Sequence, residues 1–149
     1  MNDRFIKACQ GEAVDATPIW FMRQAGRFLP EYQKIRENHD LISICKNPEL
    51  CAEVTTLPVK ALDVDAAIIF ADIMLPLEGM SVDFKIEKNI GPIIKDTIRN
   101  REQAESLEEF DADKAVPYTL DAIRLAKKRL EGLVPLIGFC GGHLPLPVT

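Results

Sequence analysis

The sequence predicts an α/β fold in which parallel strands alternate with helices. Three apolar runs, at residues 18–22, 65–72 and 134–139, are typical of buried strands. The segments between them carry helix-start signals, so we expect right-handed crossovers from strand to strand. A complete barrel of this kind takes about 250 residues, whereas this chain has 149. We therefore expect it to be part of a larger fold.

Composition narrows the functional class. Hydrophobic residues make up 47% of the chain, which is ordinary for a soluble domain, and 23 acidic against 18 basic residues give a net charge of −5. That balance gives no bulk support for nucleic-acid binding. The charged N-terminus is unlike a secretion signal, and no apolar run reaches the roughly 20 residues of a membrane helix. We expect a cytoplasmic protein with no nucleic-acid or membrane partner.

The four cysteines form no CxxC pair and match no disulfide framework or zinc module. We therefore expect reduced thiols and no metal. Cys140 and His143 lie three residues apart, and a metal site there is the alternative, although a second pair of ligands is missing.

Helix signals recur through the first half of the chain. A short helix is predicted at residues 2–10, and Pro30 begins another that ends near the exposed His39. Asp40 opens the next, and Asn47 followed by proline opens a longer one. Pro58 lies inside that last helix, where it should bend or split it.

In the second half of the chain, polar and apolar residues alternate at residues 81–86, and a turn at residues 89–92 precedes two further apolar residues. This pattern predicts a hairpin at residues 81–94 that is added to the main sheet. Residues 99–109 are charged and predict a surface helix or loop. Asp111 or Asp113 then opens one long helix, which ends before Gly132.

Arg23 and Arg27 are the most distinctive pair in the sequence, because they lie four residues apart with Gly26 between them, directly after the first apolar run. A guanidinium is always charged, and its planar fork fits a carboxylate bidentately. The pair therefore indicates a site for a small polyanion. The alternative is two solvent-exposed surface arginines.

Asp72 ends the second apolar run. A carboxylate just beyond the carboxyl end of a buried strand occupies the place where α/β sheets and barrels carry their chemistry. The alternative is that Asp72 caps a helix at residues 73–77.

The chain resembles the uroporphyrinogen decarboxylase family. Residues 18–32, which include Arg-Gln-Ala-Gly-Arg at residues 23–27, are similar to its N-terminal signature. The agreement continues at residues 47–50, 64–73 and 134–139 and covers residues 1 to about 141. The resemblance implies the N-terminal portion of a (β/α)8 TIM-type barrel, incomplete in this chain.

It also implies an activity. The family removes carbon dioxide from the four acetate side chains of uroporphyrinogen III, giving coproporphyrinogen III in haem biosynthesis. It is a carboxy-lyase that acts without cofactor or metal, as a cytoplasmic homodimer in its full-length form.

Site residues carried over by the resemblance fall into two groups. Asp72 would bind the pyrrole N–H groups and stabilise the transition state, and Arg23 would help to deliver a proton. The loop would bind the substrate carboxylates through Arg23, Gln24, Ala25, Gly26 and Arg27.

The match fails at the end of the chain. Residues 142–149 align with nothing in the family pattern, which predicts a divergent tail caused by truncation or a shifted reading frame. The family's later tyrosine, serine or threonine, and histidine are absent, and His143 does not replace the last. We expect no turnover by this chain alone. The alternatives are a non-catalytic anion-binding fragment and a corrinoid-linked methyltransferase, whose relatives bear a zinc site and lack the full arginine motif.

Overall fold

A computed structural model describes residues 3–87 and 90–141. These residues form two compact units, which are treated separately: one takes in the chain up to Ala71 and from Tyr118 onwards, the other is Asp72–Pro117. In chain order the elements are α1 Arg4–Cys9, α2 Pro30–Asn38, α3 Leu41–Lys46, α4 Pro48–Leu62, β1 Ala67–Ile68, α5 Pro76–Gly79, β2 Phe84–Glu87, β3 Gly91–Ile94, α6 Arg101–Glu105, α7 Ala112–Ala115, α8 Pro117–Leu130 and β4 Leu136–Ile137.

Local signals determine where the helices begin. Pro30 is the first residue of α2, as predicted. The Asp40 carboxylate accepts the Ser43 N–H at 2.7 Å at the start of α3. The Asn47 side chain accepts two N–H groups of the first turn of α4, each at 3.1 Å. Each cap satisfies backbone donors that have no partner within the helix.

Pro58 does not split α4, which runs unbroken from Pro48 to Leu62. The ring removes one backbone donor, yet Pro58 is fully buried. Cys51, Ala52 and Val54 on the same helix are also buried, and their apolar packing contributes to its stability.

Strands β1 and β4 pair in parallel, with Ala67 opposite Leu136 and Ile68 opposite Ile137. The second and third predicted strands are thereby confirmed, although each pairs over fewer residues than its apolar run. A parallel pair requires a crossover connection, and the chain between β1 and β4 provides it.

The first predicted strand, at residues 18–22, is wrong. Its backbone bonds to the residues just before β1 instead, where the Ile19 C=O accepts the Asp65 N–H at 2.8 Å. The Asp65 carboxylate accepts a hydrogen bond from the Ile19 N–H. A side chain therefore occupies the position where a neighbouring strand would supply the next backbone acceptor. The Gln24 N–H then closes a turn onto the Phe21 C=O and ends the extended segment. The predicted burial of this segment is also wrong, because Met22 is 79% exposed.

The second unit holds the hairpin. Strands β2 and β3 pair antiparallel from Phe84 opposite Ile94 to Glu87 opposite Gly91. Gly91 adopts a φ of 105°, which suits glycine. The hairpin is confirmed, but it forms its own two-stranded sheet rather than extending the β1–β4 sheet. Asn89, in the predicted turn, lies outside the described residues.

The long helix predicted from Asp111 or Asp113 is two helices. Asp111 caps α7 by accepting the Asp113 N–H at 3.0 Å. Val116 then leaves the helical region, with φ −131° and ψ 46°, because the ring of Pro117 clashes with a helical residue before it. The sequence prediction overlooked this proline.

Candidate functional site

The loop that carries the two arginines is closed by two turns. The Gln24 N–H donates to the Phe21 C=O at 3.1 Å, and the Leu29 N–H donates to the Gly26 C=O at 3.0 Å. Between these bonds the backbone is neither helix nor strand. Met22 and Phe28 flank the loop and are 79% and 58% exposed. The loop therefore presents both charge and apolar surface to solvent.

Gln24 holds this loop against the sheet. Its side chain is 3% exposed, its Nε2 donates to the Ala66 C=O at 3.0 Å, and its Oε1 accepts the Phe21 N–H at 3.1 Å. A primary amide can serve one acceptor and one donor at once, which is what this position requires. The structure thus places Gln24 inside the protein, where it joins the loop to the residue before β1.

Apolar contacts fix the rest of the loop. Ala25 packs against a cluster that includes the buried Leu29 and Tyr32. A Cβ added to Gly26 would lie 3.0 Å from the ring of Phe28, so the loop has little room there for a larger residue. Burial raises the pKa of Tyr32 above its usual value, and the positive charges of Arg36 and Arg27 oppose that shift. The phenol is therefore neutral at physiological pH.

Arg23 and Arg27 are exposed. Among the residues that the structure describes, neither guanidinium makes an ion pair or a hydrogen bond. Each retains its five N–H donors for a ligand. The predicted arginine pair is thus carried on one anchored loop with both charges available to an anion.

Arg4 contrasts with these two. It donates to both oxygens of Asp15 at 2.7 Å and to the 4%-exposed Asp65 at 2.6 Å. Because of the Arg4 hydrogen bond, the pKa of Asp15 falls to about 2. This cluster was not predicted from the sequence, although an acid directly before an apolar run was a usable signal. It fastens α1 and residues 15–19 to the start of β1.

A second missed group lies beyond the end of β1. The Thr55 hydroxyl accepts the Phe70 N–H at 2.9 Å and donates to the Cys51 C=O at 2.7 Å. The Cys51 thiol donates to the Phe70 C=O at 2.8 Å. Burial raises the pKa of Cys51 to about 11, so the thiol keeps its proton and remains a donor. Two side chains of α4 thus hold both backbone groups of Phe70.

Asp72 belongs to the second unit and is half-buried. Its Oδ1 accepts the Met74 N–H at 2.8 Å, and its C=O accepts the Leu75 N–H at 3.2 Å. The helix expected at residues 73–77 begins only at Pro76, with Leu75 as its cap, so Asp72 is a turn residue instead. Within the described chain, its Oδ2 accepts no hydrogen bond and is available to a donor.

No group of three His, Cys, Asp or Glu side chains that could hold a metal occurs within residues 3–87 and 90–141. Cys140 is exposed, and His143 lies outside that range. His39 is exposed at the end of α2, as predicted. In the same described ranges, no helix is both long and apolar enough to cross a membrane.

Comparison with known sequences identifies relatives. The family model described as uroporphyrinogen decarboxylase (URO-D) matches residues 1–148. A uroporphyrinogen decarboxylase of Sorangium cellulosum is 50% identical over 141 residues, which is 95% of this chain and 40% of that relative. One of Thermus thermophilus is 49% identical over 146 residues, covering 98% of this chain and 42% of the relative. The chain therefore spans about two fifths of the length of these relatives.

Comparison with solved structures identifies the fold. A methyltransferase from Methanosarcina mazei superposes with a TM-score of 0.75, at 21% sequence identity, over 95% of this chain and 42% of that one. At this identity the likeness bears on the fold alone. The architecture is the N-terminal portion of a TIM-type barrel, as the resemblance implied.

Proposed function

Because the chain belongs to the uroporphyrinogen decarboxylase family, we propose that it carries the carboxylate-binding part of a cofactor-independent decarboxylase. Its substrate would be uroporphyrinogen III, whose four acetate side chains lose carbon dioxide to give coproporphyrinogen III. The complete enzyme would work in the cytoplasm as a homodimer. The observation that carries the proposal is the exposed, unpaired state of Arg23 and Arg27 within the described chain, on a loop fixed by Gln24.

The arginine loop would neutralise and orient the substrate. A macrocycle rich in carboxylates needs several cationic partners, and a guanidinium binds each carboxylate through two parallel hydrogen bonds. The loop is already held by the Gln24 amide and by the packing of Ala25, so little conformational entropy is lost when an anion binds. The exposed Met22 and Phe28 would add apolar contact with the ring.

Asp72 would stabilise the charge that develops during the reaction. Protonation of a pyrrole ring creates an electron sink, the bond to the carboxylate carbon breaks, and its electron pair flows into the ring. Carbon dioxide leaves, a second proton completes the methyl group, and the first proton then leaves the ring, so that one proton replaces each carbon dioxide. Positive charge spreads onto the ring nitrogens before that release. An ionised carboxylate facing those nitrogens favours this state over the neutral ground state, an effect of about 3–4 kcal/mol for one such group.

The free Oδ2 of Asp72 suits this role, since Oδ1 is already used by the Met74 N–H. Arg23 would assist proton delivery, although a guanidinium is a poor acid at neutral pH. Its main role is therefore electrostatic.

The test measures binding and turnover separately. Uroporphyrin, the oxidised and stable form of the macrocycle, is titrated into the purified chain, and carbon dioxide release is assayed with uroporphyrinogen. Arg27→Ala should weaken binding about 10- to 100-fold, as expected for loss of a charge-assisted hydrogen bond. Arg101→Ala, which removes a 91%-exposed arginine paired with Glu105, is the matched control and should leave binding unchanged.

The outcome also discriminates between two candidate functions. Equal binding by wild type, Arg27→Ala and Arg101→Ala would overturn the role of the loop. Arginine-dependent binding without turnover favours the anion-binding fragment as the activity of this chain by itself.

A further inference from the structure

Asp65 joins two distant segments of the chain to the residues just before β1. Its side chain is buried, and each of its two oxygens serves a different segment. Oδ1 accepts a hydrogen bond from Arg4 Nη1 at 2.6 Å, and Oδ2 accepts one from the Ile19 N–H at 2.8 Å. A buried carboxylate is costly unless an opposite charge and further hydrogen bonds compensate it, and these two bonds supply both.

Residues 65 and 66 hold the segment that leads to the arginine loop at two points. The Asp65 N–H donates to the Ile19 C=O at 2.8 Å, so Asp65 bonds both backbone groups of Ile19. Further along the chain, the Gln24 amide donates to the Ala66 C=O at 3.0 Å. Arg23 therefore lies between two attachments to the start of β1.

Apolar packing contributes little to the position of this segment. Ile19, Phe21 and Met22 are all exposed, so they bury little of the apolar surface that would otherwise fix the chain. Helix α1 also has no buried residue. Arg4 therefore holds α1 to the rest of its unit through polar bonds, and one of these bonds ends at the carboxylate that holds Ile19.

We propose that Asp65 is a positioning residue for the arginine loop, and that Arg4 orients its carboxylate. The effect passes through Ile19 to Arg23 and requires no contact between Asp65 and the anion. A loop that is fixed before binding loses less conformational freedom when an anion binds, so a looser attachment at Ile19 weakens binding. The effect on binding rests on the proposed function, whereas the attachment itself can be measured without a ligand.

A carboxamide at position 65 separates the two bonds. Asp65→Asn keeps the size of the side chain but offers one acceptor oxygen in place of two. The charged Arg4 donor forms the stronger hydrogen bond, so it takes that oxygen and the Ile19 N–H loses its acceptor. We expect hydrogen exchange at the Ile19 amide of the ligand-free variant to be about tenfold faster. The affinity for uroporphyrin should fall about fivefold.

Removing the competing donor should restore the attachment. Arg4→Met replaces the guanidinium with an unbranched side chain that has no donor. In the double variant Arg4→Met/Asp65→Asn, the single oxygen at position 65 is therefore left to the Ile19 N–H. We expect exchange at Ile19 and affinity for uroporphyrin to return to within about twofold of wild type. A double variant that binds more weakly than Asp65→Asn would contradict the proposal.

Two control variants separate positioning from stability. Asp63→Asn makes the same chemical change at the exposed residue that follows α4 and should alter neither exchange at Ile19 nor affinity. Val134→Ala truncates a buried side chain of the cluster around Ala67 and Leu130. It should lower the urea midpoint of unfolding and leave the affinity for uroporphyrin unchanged.

The outcomes distinguish this inference from the proposed function. Unchanged exchange at the Ile19 amide in Asp65→Asn would overturn the inference, as would an equal loss of affinity in Val134→Ala. Failure of the wild-type chain to bind uroporphyrin would overturn the proposed function instead. Exchange at Ile19 in the ligand-free chain would then decide the attachment without reference to binding.

Discussion

Gln24 shows how a buried polar side chain can determine the position of exposed charged ones. Its amide satisfies a backbone donor in the loop and a backbone acceptor beside β1. The bond to the Ala66 C=O is buried, so it avoids a desolvation penalty as well as contributing directly. The geometry of Arg23 and Arg27 therefore depends on a neighbour that carries no charge.

Replacing Gln24 with alanine should lower the free energy of unfolding by about 1–3 kcal/mol, because the Ala66 C=O and the Phe21 N–H both lose a partner. Urea denaturation measures the change. Gln10→Ala, at an exposed position after α1, is the control and should stay within about 0.5 kcal/mol of wild type. A Gln24→Ala variant as stable as this control would show that the amide does not anchor the loop.

Asp15 gives the protein a pH dependence of defined sign. Its pKa is lowered from 3.8 to about 2 by the hydrogen bond from Arg4. A carboxyl with a depressed folded-state pKa contributes stability above its unfolded pKa and loses it as the pH falls through the folded value. We therefore expect wild type to lose stability between about pH 4 and pH 2.

The measurement is thermal unfolding over this pH range for wild type and Asp15→Asn. The variant lacks the titrating group and should show a shallower slope. Identical slopes would mean that the Arg4 contact does not persist in solution.

Helix α4 and strand β1 are joined by side-chain bonds rather than by packing alone. Thr55 bonds the Cys51 C=O within its own helix and the Phe70 N–H beyond the strand. Cys51 adds the bond to the Phe70 C=O. Both residues are buried, so the pair fixes the point at which the chain leaves the strand.

Substituting Thr55 by valine keeps the shape but removes the hydroxyl, leaving the Phe70 N–H unsatisfied. We expect a loss of about 1–3 kcal/mol in unfolding free energy. Thr55→Ser retains the hydroxyl and should lose only about 1 kcal/mol through the missing methyl group. Chemical denaturation of the two variants tests this, and the reverse order of stability would show that packing at Thr55 outweighs its hydrogen bond.

The elements that the sequence predicted correctly are those with local causes. Asp40, Asn47 and Pro30 define helix starts through bonds or dihedral restrictions within one turn. The failures have non-local or overlooked causes. Residues 18–22 are apolar enough for a strand, yet Asp65 and Gln24 divert their backbone bonds. Pro117 breaks the predicted helix at the residue before it.

The residues of the candidate site also differ in whether the sequence alone reveals them. The arginine pair and Asp72 are recognisable from residue type and spacing, because fixed charge on a loop and a carboxylate after a strand are chemical signals. The roles of Cys51 and Thr55 are not, because their partners lie on Phe70, 19 and 15 residues further along the chain. Anchors of this kind are visible only once the chain is folded.

For the molecule as a whole, an incomplete barrel leaves apolar surface without cover. Ile19, Phe21 and Met22 are 56%, 52% and 79% exposed, and the β4 edge has no partner strand among the described residues. Exposed apolar patches and open edges promote association. We expect the isolated chain to self-associate at high concentration, and light scattering across a dilution series should show it; a monomer at every concentration would contradict this expectation.

The central claim is that the arginine loop binds the carboxylates of a porphyrin-type macrocycle. Titration of ¹⁵N-labelled chain with uroporphyrin, followed by amide chemical shifts, tests it most directly. The account predicts saturable shifts at residues 23–28 and 72–74, with the loop shifts lost in Arg23→Gln/Arg27→Gln. Shifts confined to Val134–Gly138, or loop shifts that survive the double substitution, would contradict it.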